Sequence, residues 1–385
     1  MLRVSVDIGG TFTDCFVVWD RKYIEAKALT THHNLAMGFN EALGKACKVL
    51  GIDLEDILSE VDSVRYATTL GTNALIEHKG PKIGMLVTAG FEATVPLSRA
   101  RGYGEGLDNL GQQDMPNAER PDPLVKAHMI RGVRERVDFT GKLVMALDEE
   151  DVRKQIRDLV DQGAEIIVVA LVNSVVNPSH EQRIQEILLD EYPSHLLGAI
   201  PIILSHQVAG RKGEYVRATS AIVDGYLHST MYHALSALEQ NLRTHRYHKP
   251  MLVIHNSGGM AQLNSTDALQ TIHSGPVSGI GASEHLAMQA ALGNVWPPIW
   301  AAPATTSASS SKAASSTMIS IRSSTAGWSP CRWSISSRSA RAAAPSPPMT
   351  GCTRRSNAVR KARAPTPAPP ATTVADAAPP SPTPI

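Results

Sequence analysis

Val4-Ser5-Val6-Asp7-Ile8-Gly9-Gly10-Thr11-Phe12-Thr13-Asp14-Cys15-Phe16-Val17-Val18, near the start of a 385-residue chain, reads as strand, tight turn, strand. Gly9 and Gly10 permit positive φ and remove the side chains that would hold a phosphate away from backbone N–H groups. Thr11 and Thr13 add hydroxyl donors. Asp7, ending the first strand, is placed to hold Mg2+ or its water shell beside those phosphates, the charge neutralisation that phosphoryl transfer needs. The segment lacks the GxxxxGK(S/T) pattern, so it is a β-hairpin phosphate clamp and not a P-loop. The candidate catalytic groups are Asp7, Thr13 and Asp14, with Asp7 as metal ligand. The candidate phosphate-binding groups around the turn are Gly9, Gly10, Thr11 and Thr13.

Composition narrows the partners. With 37 basic and 36 acidic side chains there is no net field to draw the chain onto nucleic acid or an anionic membrane, so small, nearly neutral partners are favoured. A hydrophobic content of 43% suffices for two domains with real cores. Leu2 to Asp7 alternates like a strand and lacks the basic start and apolar run of a signal peptide, and no later stretch offers about twenty uninterrupted apolar residues. Cys15, Cys47, Cys331 and Cys352 show neither metal spacing nor a disulfide framework, which makes the cytoplasm the expected compartment.

Farther along, Ala67-Thr68-Thr69-Leu70-Gly71-Thr72-Asn73-Ala74-Leu75-Ile76-Glu77 carries Thr68, Thr69, Thr72 and Asn73. They either line the substrate or phosphate side of a cleft or cap the start of a helix. Arg134-Glu135-Arg136-Val137-Asp138 reads as solvated charge before a turn at Gly141, and a helix is expected to begin near Asp148 with acids in its first turn. Gly163 to Val172 has the apolar character of a strand buried in a parallel sheet, and Asn177-Pro178-Ser179-His180-Glu181 starts the next helix. His206 either faces a cleft or is a satisfied structural histidine. The glycine-rich stretches from His255 to Gly259 and from His273 to Ala282 allow close backbone approach to a ligand, with Gly275 and Gly279 as candidate contacts.

VDIGGTFTD resembles the N-terminal signature of the hydantoinase A/oxoprolinase family, and the 67–77 block resembles that family's GTTxxTNAxLE, with Ala67 where glycine is usual. The segment Arg134 to Asp138 with Gly141, the segment Ser205 to Asp224 and the two glycine-rich stretches resemble further blocks in family order. The resemblance covers residues 2 to about 294. It implies an α/β fold of the actin-like, Hsp70-like, sugar-kinase-like ATPase type, in which two lobes each contribute a hairpin to grip ATP. Residues 1–190 would form the first lobe, 191–294 the incomplete start of the second, and 295–385 a tail outside the fold.

The resemblance also implies chemistry. ATP phosphorylates a carbonyl oxygen so that a cyclic amide or imide opens by hydrolysis, with Mg2+ and a hydantoinase B-type partner subunit in a hetero-oligomer. In a related branch, the acetone and acetophenone carboxylases, an enol and bicarbonate are phosphorylated and a ketone is carboxylated. The segment Leu97 to Leu107, with Arg120 to Val125, replaces the GRQ-type segment of oxoprolinases and looks closer to that branch. A sugar-kinase-like or non-catalytic ATP-binding protein is the remaining class.

Composition breaks near residue 295. From Trp296 to Ile385 the chain is dominated by Ala, Pro, Ser, Thr and Arg, with Asp376 the single acid and four of the five tryptophans irregularly placed, and no helical or strand period survives. Such a composition fits a disordered tail. The genetic code supplies a sharper reading, because Ala, Pro, Thr and Trp codons fix much of the nucleotide sequence. Reading the third base of each codon with the next two, Trp296 to Ala308 permits ATDMGGTSYDVG, Arg338 to Pro347 permits IGAGGGSIA, and Lys361 to Ile385 permits GAGSDPGPACY followed by PTVTDA. The first resembles the family's second phosphate hairpin. A frameshift near Val295 is therefore expected, leaving the chain as written with one jaw of the clamp and negligible turnover.

Overall fold

The computed structural model describes residues 2–98, 110, 113–114 and 122–291, with the backbone of short strands between 294 and 337. The chain divides into units Met1–Arg341 and Ala342–Ile385, and every described element belongs to the first. In chain order these are β1 (Arg3–Ile8), β2 (Phe12–Trp19), β3 (Lys22–Leu29), α1 (Leu35–Leu50), α2 (Leu54–Glu60), β4 (Ser63–Thr68), α3 (Leu70–Ile76) and β5 (Ile83–Thr88). There follow α4 (Thr94–Leu97), β6 (Ile130–Val133), β7 (Arg136–Val137), β8 (Leu143–Met145), α5 (Glu149–Asp161), β9 (Ile166–Ala170) and α6 (Ser179–Glu191). The series ends with β10 (Ile202–Leu204), α7 (Ser205–Val208), α8 (Glu214–Thr244), β11 (Leu252–Ile254), β12 (Met260–Gln262) and α9 (Ser274–Gln289).

Two sheets carry the core. The first is six-stranded, in the order β12-β11-β4-β1-β2-β3, with β1 antiparallel to β2 and parallel to β4. Side-chain alternation sends Val4, Val6 and Ile8 of β1 and Cys15 and Val17 of β2 into the interior, against the Phe39, Leu43 and Ala46 stripe of α1. Asn34 caps α1 by accepting from the Ala36 N–H at 3.1 Å, and Gly51 ends it in the left-handed region at φ 70°, where a side chain would be strained. The second sheet is four-stranded and parallel throughout, in the order β10-β9-β5-β6. All six residues of β5 are buried, as a parallel strand covered on both faces requires.

Helix α8, 31 residues and about 46 Å long, ties the sheets together. Arg217, in its first turns, donates to the Leu171 carbonyl beyond β9 at 2.7 Å. Gly225 lies so close to β9 that an added Cβ would stand 3.0 Å from Val168, and Leu227 and Met231 pack on Gly71 of α3. The local expectations for Asp148, for the buried strand within 163–172 and for the helix after Asn177 hold. Asp148 accepts from the Asp151 N–H at 3.1 Å, and the Asn177 side chain accepts from the Ser179 N–H at 3.1 Å.

The expected boundary after residue 190 is crossed by strand pairing. β11 runs parallel to β4, with Leu252 opposite Arg65 and Val253 opposite Tyr66, so residues beyond 191 complete the same sheet that begins at Arg3. β1 pairs with the whole of β4, whereas β11 covers only Arg65 and Tyr66 on its other edge. Within the stretch from Trp296 read as lacking any strand, the backbone of Ile321–Arg322 pairs with Asn294–Val295 just before it, Pro298–Trp300 pairs with Ser316–Met318, and Thr317–Ile319 with Ile335–Ser337. The rest of the expected tail lies outside the described residues.

Candidate functional site

The β1–β2 hairpin places Asp7 opposite Asp14 and Ile8 opposite Thr13. Directly paired residues share a face, so the two carboxylates stand together on the accessible side while Ile8 and Thr13 point into the core. Asp14 is held by Lys27 on β3 at 2.9 Å, and that ammonium also lies 4.9 Å from the centre of the Phe12 ring. Among the described residues no hydrogen bond or ion pair reaches the Asp7 carboxylate. Its side chain is solvent-accessible, and partial burial, with Asp14 second, raises its pKa above the ordinary value.

The turn is tight because space is short. The Gly9 N–H donates to the Phe12 carbonyl at 2.9 Å, and an added Cβ on Gly9 would meet that same oxygen at 3.2 Å. One on Gly10 would meet the Asn73 amide nitrogen at 3.2 Å. Neither glycine adopts positive φ, contrary to the sequence-based expectation; their role is room for neighbouring groups, not handedness. Thr11 is exposed at the turn.

Two of the candidate threonines are buried. Thr13 is fully buried, and its hydroxyl meets Thr30 Oγ1 at 3.1 Å, while Thr30 donates to the Gly9 carbonyl at 2.9 Å. Thr13 thus clasps the hairpin from inside. Thr68 is also buried, with its hydroxyl accepting from the Leu70 N–H at 3.0 Å, while Thr69 at the N-cap of α3 makes no side-chain capping bond. Thr69, Thr72 and Asn73 stay half-buried on α3, and the Thr72 hydroxyl accepts from the His273 N–H at 3.3 Å. Gly275, at the start of α9, comes over Asp7: an added Cβ would stand 3.3 Å from Oδ1. Gly279 lies one turn on, exposed, with its carbonyl accepting from Ser283, and does not join this group.

The arrangement fits Mg2+. That ion binds through one or two carboxylates with water and phosphate oxygens completing the shell, and Asp7 offers a carboxylate without partners among the described residues, close to Gly275. No cluster of three or more metal-ligating side chains occurs among the described residues.

A second polar cluster, missed in the sequence, lies at the carboxyl edge of the four-stranded sheet. Glu135, expected to be solvated, is buried, receiving the Thr88 hydroxyl and meeting His180 Nδ1 at 2.8 Å. Glu181, fully buried, accepts from the Leu171 N–H at 2.9 Å, Ser205 at 2.7 Å, and both the backbone and the ring of His206. Burial alone would raise the Glu181 pKa; the hydrogen bonds from His206, Ser205 and the backbone hold it below the ordinary value instead. His206 is therefore the satisfied structural histidine. Residues 99–109 and 120–121 of the segments read as carboxylase-like lie outside the described residues.

Residues 3–192 match the family description "Hydantoinase/oxoprolinase N-terminal region" and residues 217–295 match "Hydantoinase/oxoprolinase". The acetophenone carboxylase gamma subunit of Aromatoleum aromaticum is 39% identical over 292 residues, covering 76% of this chain and 40% of that protein. The nucleotide-free structure of acetone carboxylase superposes with a TM-score of 0.71 at 28% identity, over 77% of this chain and 42% of the other. The ATP-dependent caprolactamase of Pseudomonas jessenii superposes with a TM-score of 0.66 at 25% identity, over 83% and 43%. The chain thus spans about two fifths of the relatives it matches. No helix among the described residues is long and apolar enough to cross a membrane. With its α/β ATPase-type fold and both family regions in order, the chain belongs to the hydantoinase/oxoprolinase family.

Proposed function

We propose that this chain binds Mg-ATP between the Gly9–Thr11 turn and the first turn of α9, as part of a larger subunit that phosphorylates a carbonyl or enol oxygen of a small substrate. The observation that carries the reading is the Asp7 carboxylate, unpartnered among the described residues and with Gly275 close against it. Bound Mg2+ would supply charge neutralisation at the phosphates. Asp7 orients that charge, Gly10 and Thr11 offer backbone and hydroxyl donors, and Thr69, Thr72 and Asn73 face the substrate or phosphate side. In the transfer, the substrate oxygen forms a bond to the γ-phosphorus as the bond to the ADP oxygen breaks. A poor leaving oxygen thereby becomes a phosphate ester that departs readily.

The 39% identity with an acetophenone carboxylase subunit supports ketone carboxylation as the use of this step. Cyclic amide or imide hydrolysis is the second reading, supported by the likeness to caprolactamase. Either use would call for a partner of the hydantoinase B type. The family match ends at residue 295, where composition also changes, which supports the shifted-frame reading with a second phosphate hairpin beyond it.

The test is to purify the 385-residue chain and a version with the frame restored at Val295 and extended to its stop, and to measure ATP hydrolysis with ketones, cyclic amides and the partner. Expected is substrate- and partner-dependent turnover in the restored protein and negligible turnover in the chain as written. Robust turnover by the 385-residue chain overturns the shifted-frame reading. Failure of both proteins to bind Mg-nucleotide overturns the ATP assignment itself.

A further inference from the structure

β4 is paired with β1 along its whole length, from Ser63 to Thr68. On its other edge β11 reaches only Arg65 and Tyr66 before the chain leaves the sheet at Ile254. Thr68, which is buried, would therefore have no strand neighbour there for its backbone N–H and C=O, a costly omission in the interior. One side chain substitutes for the missing strand. Ser274, completely buried at the first position of α9, accepts from the Thr68 N–H at 3.2 Å and donates to the Thr68 carbonyl at 3.0 Å.

The next residue is Gly275, whose backbone lies over Asp7. The preceding one, His273, enters the helix at φ 59°, a strained conformation for a residue with a side chain, and its N–H is fixed on Thr72. Strain of this kind persists where the surroundings over-determine the backbone, and here the Ser274 double bond and the Thr72 hydroxyl do so from either side. Because Asp7 is register-paired with Ala67, next to Thr68, the staple fixes α9 to the strand adjoining Asp7.

We propose that Ser274 is a positioning residue for the nucleotide site, setting the height of the α9 backbone above Asp7 through its paired bonds to Thr68. The role rests on the Mg-ATP reading. Ser274 itself touches no ligand; it holds the start of α9 beside the Asp7 carboxylate, where an added Cβ on Gly275 would stand 3.3 Å from Oδ1.

The experiment compares the full chain with Ser274→Ala and Gly275→Ala, measuring the dissociation constant of ADP by calorimetry with and without Mg2+, and amide hydrogen exchange at Thr68. Ser274→Ala should speed exchange at Thr68 at least about tenfold, with little change at Val4 and Val6, since only the local staple is lost. It should weaken Mg-ADP about fivefold while changing Mg2+-free ADP by less than about twofold, the size expected for one lost buried hydrogen-bond partner. Gly275→Ala keeps the staple and adds a methyl against Asp7, so it should weaken Mg-ADP without faster exchange at Thr68. Faster exchange in Ser274→Ala with unchanged Mg-ADP affinity would show a merely structural serine and overturn the proposal. If Ser274→Ala fails to fold, an unchanged affinity in Gly275→Ala overturns it alone. A wild type that binds no Mg-ADP either as the 385-residue chain or with the frame restored sinks the nucleotide reading and this role with it, whereas wild-type binding indifferent to both substitutions sinks only the role.

Discussion

The carboxyl edges of the two sheets are built from similar groups and end in opposite states. At the six-stranded edge Asp7 has no partner among the described residues, Gly275 comes close against it, and burial holds its pKa up. At the four-stranded edge Glu181 accepts from four donors and Glu135 from two side chains, and the imidazoles of His180 and His206 are each fixed through Nδ1. The second sheet has the better credentials by topology: chain order reverses between β5 and β9, the crevice where doubly wound sheets usually bind ligands. Yet that crevice is closed by its own side chains. A polar group left unsatisfied at some cost to stability marks a place kept for a ligand, whereas a saturated network marks a joint.

If that contrast is right, substitutions at the two edges should separate stability from activity. The largest effect is expected from Glu181→Ala, which strands Ser205, His206 and the Leu171 N–H in the interior. It should cost about 3–5 kcal/mol in denaturant unfolding, as removal of one partner from a buried charged network does. Mg-ADP affinity of the folded fraction should be unchanged. A stable Glu181→Ala protein with abolished ATP turnover would exchange the roles of the two edges.

Asp7→Asn should do the reverse. In the frame-restored protein it should cut ATP turnover at least about a hundredfold, roughly 2.7 kcal/mol of transition-state stabilisation, with circular dichroism unchanged. Near-normal ATPase activity would remove the metal assignment. A smaller effect divides the hairpin itself. Thr13→Val should cost about 1 kcal/mol of stability through the lost bond to Thr30, leaving nucleotide affinity alone. Thr11→Ala should weaken nucleotide binding a few-fold without touching stability, by loss of about one exposed hydrogen bond. Equal loss of affinity in both would mean that Thr13 reaches the ligand after all.

The inward turn of Thr13 was legible. Val4, Val6 and Ile8 fix the buried parity of β1, Cys15 and Val17 fix that of β2, and Thr13 shares the parity of Cys15. Reading hydroxyls as donors without asking which face they occupy put Thr13 in the clamp. The hairpin, the α3 block and the parallel core strand were readable because each is a local pattern of six to fifteen residues. The Glu135–His180 and Glu181–His206 pairs were not, since their members lie 45 and 25 residues apart and meet only when two strands and a helix are stacked. The return of β11 to the first sheet was hidden for the same reason: three apolar residues carry no mark of which edge they will join. The unpartnered state of Asp7 also depends on tertiary contacts, as does the Ser274 staple 206 residues away from Thr68.

The smallest predicted effect tests the contrast most directly, because it asks whether the folded chain bears a cost for keeping Asp7 open. Burial and Asp14 raise the Asp7 pKa above its ordinary value, so the native state binds that proton more tightly than the unfolded chain does. Linkage then gives the sign: stability falls as pH rises from about 3.9, the unfolded value, through the raised native value, and the penalty is complete above it. Asp7→Asn carries no such charge. The variant and the wild type should therefore unfold at similar temperatures near pH 3.5 and diverge toward pH 7, with the variant higher by only about 1–2 °C because solvent screens an exposed carboxylate. Adding Mg-ADP should close the gap by stabilising the wild type alone, since the cation favours the ionised form. Thermal scans across this pH range, with and without Mg-ADP, decide the matter. An Asp7→Asn protein that melts below the wild type at pH 7 would show that the carboxylate already has a stabilising partner within the chain, and the difference between the two edges would disappear.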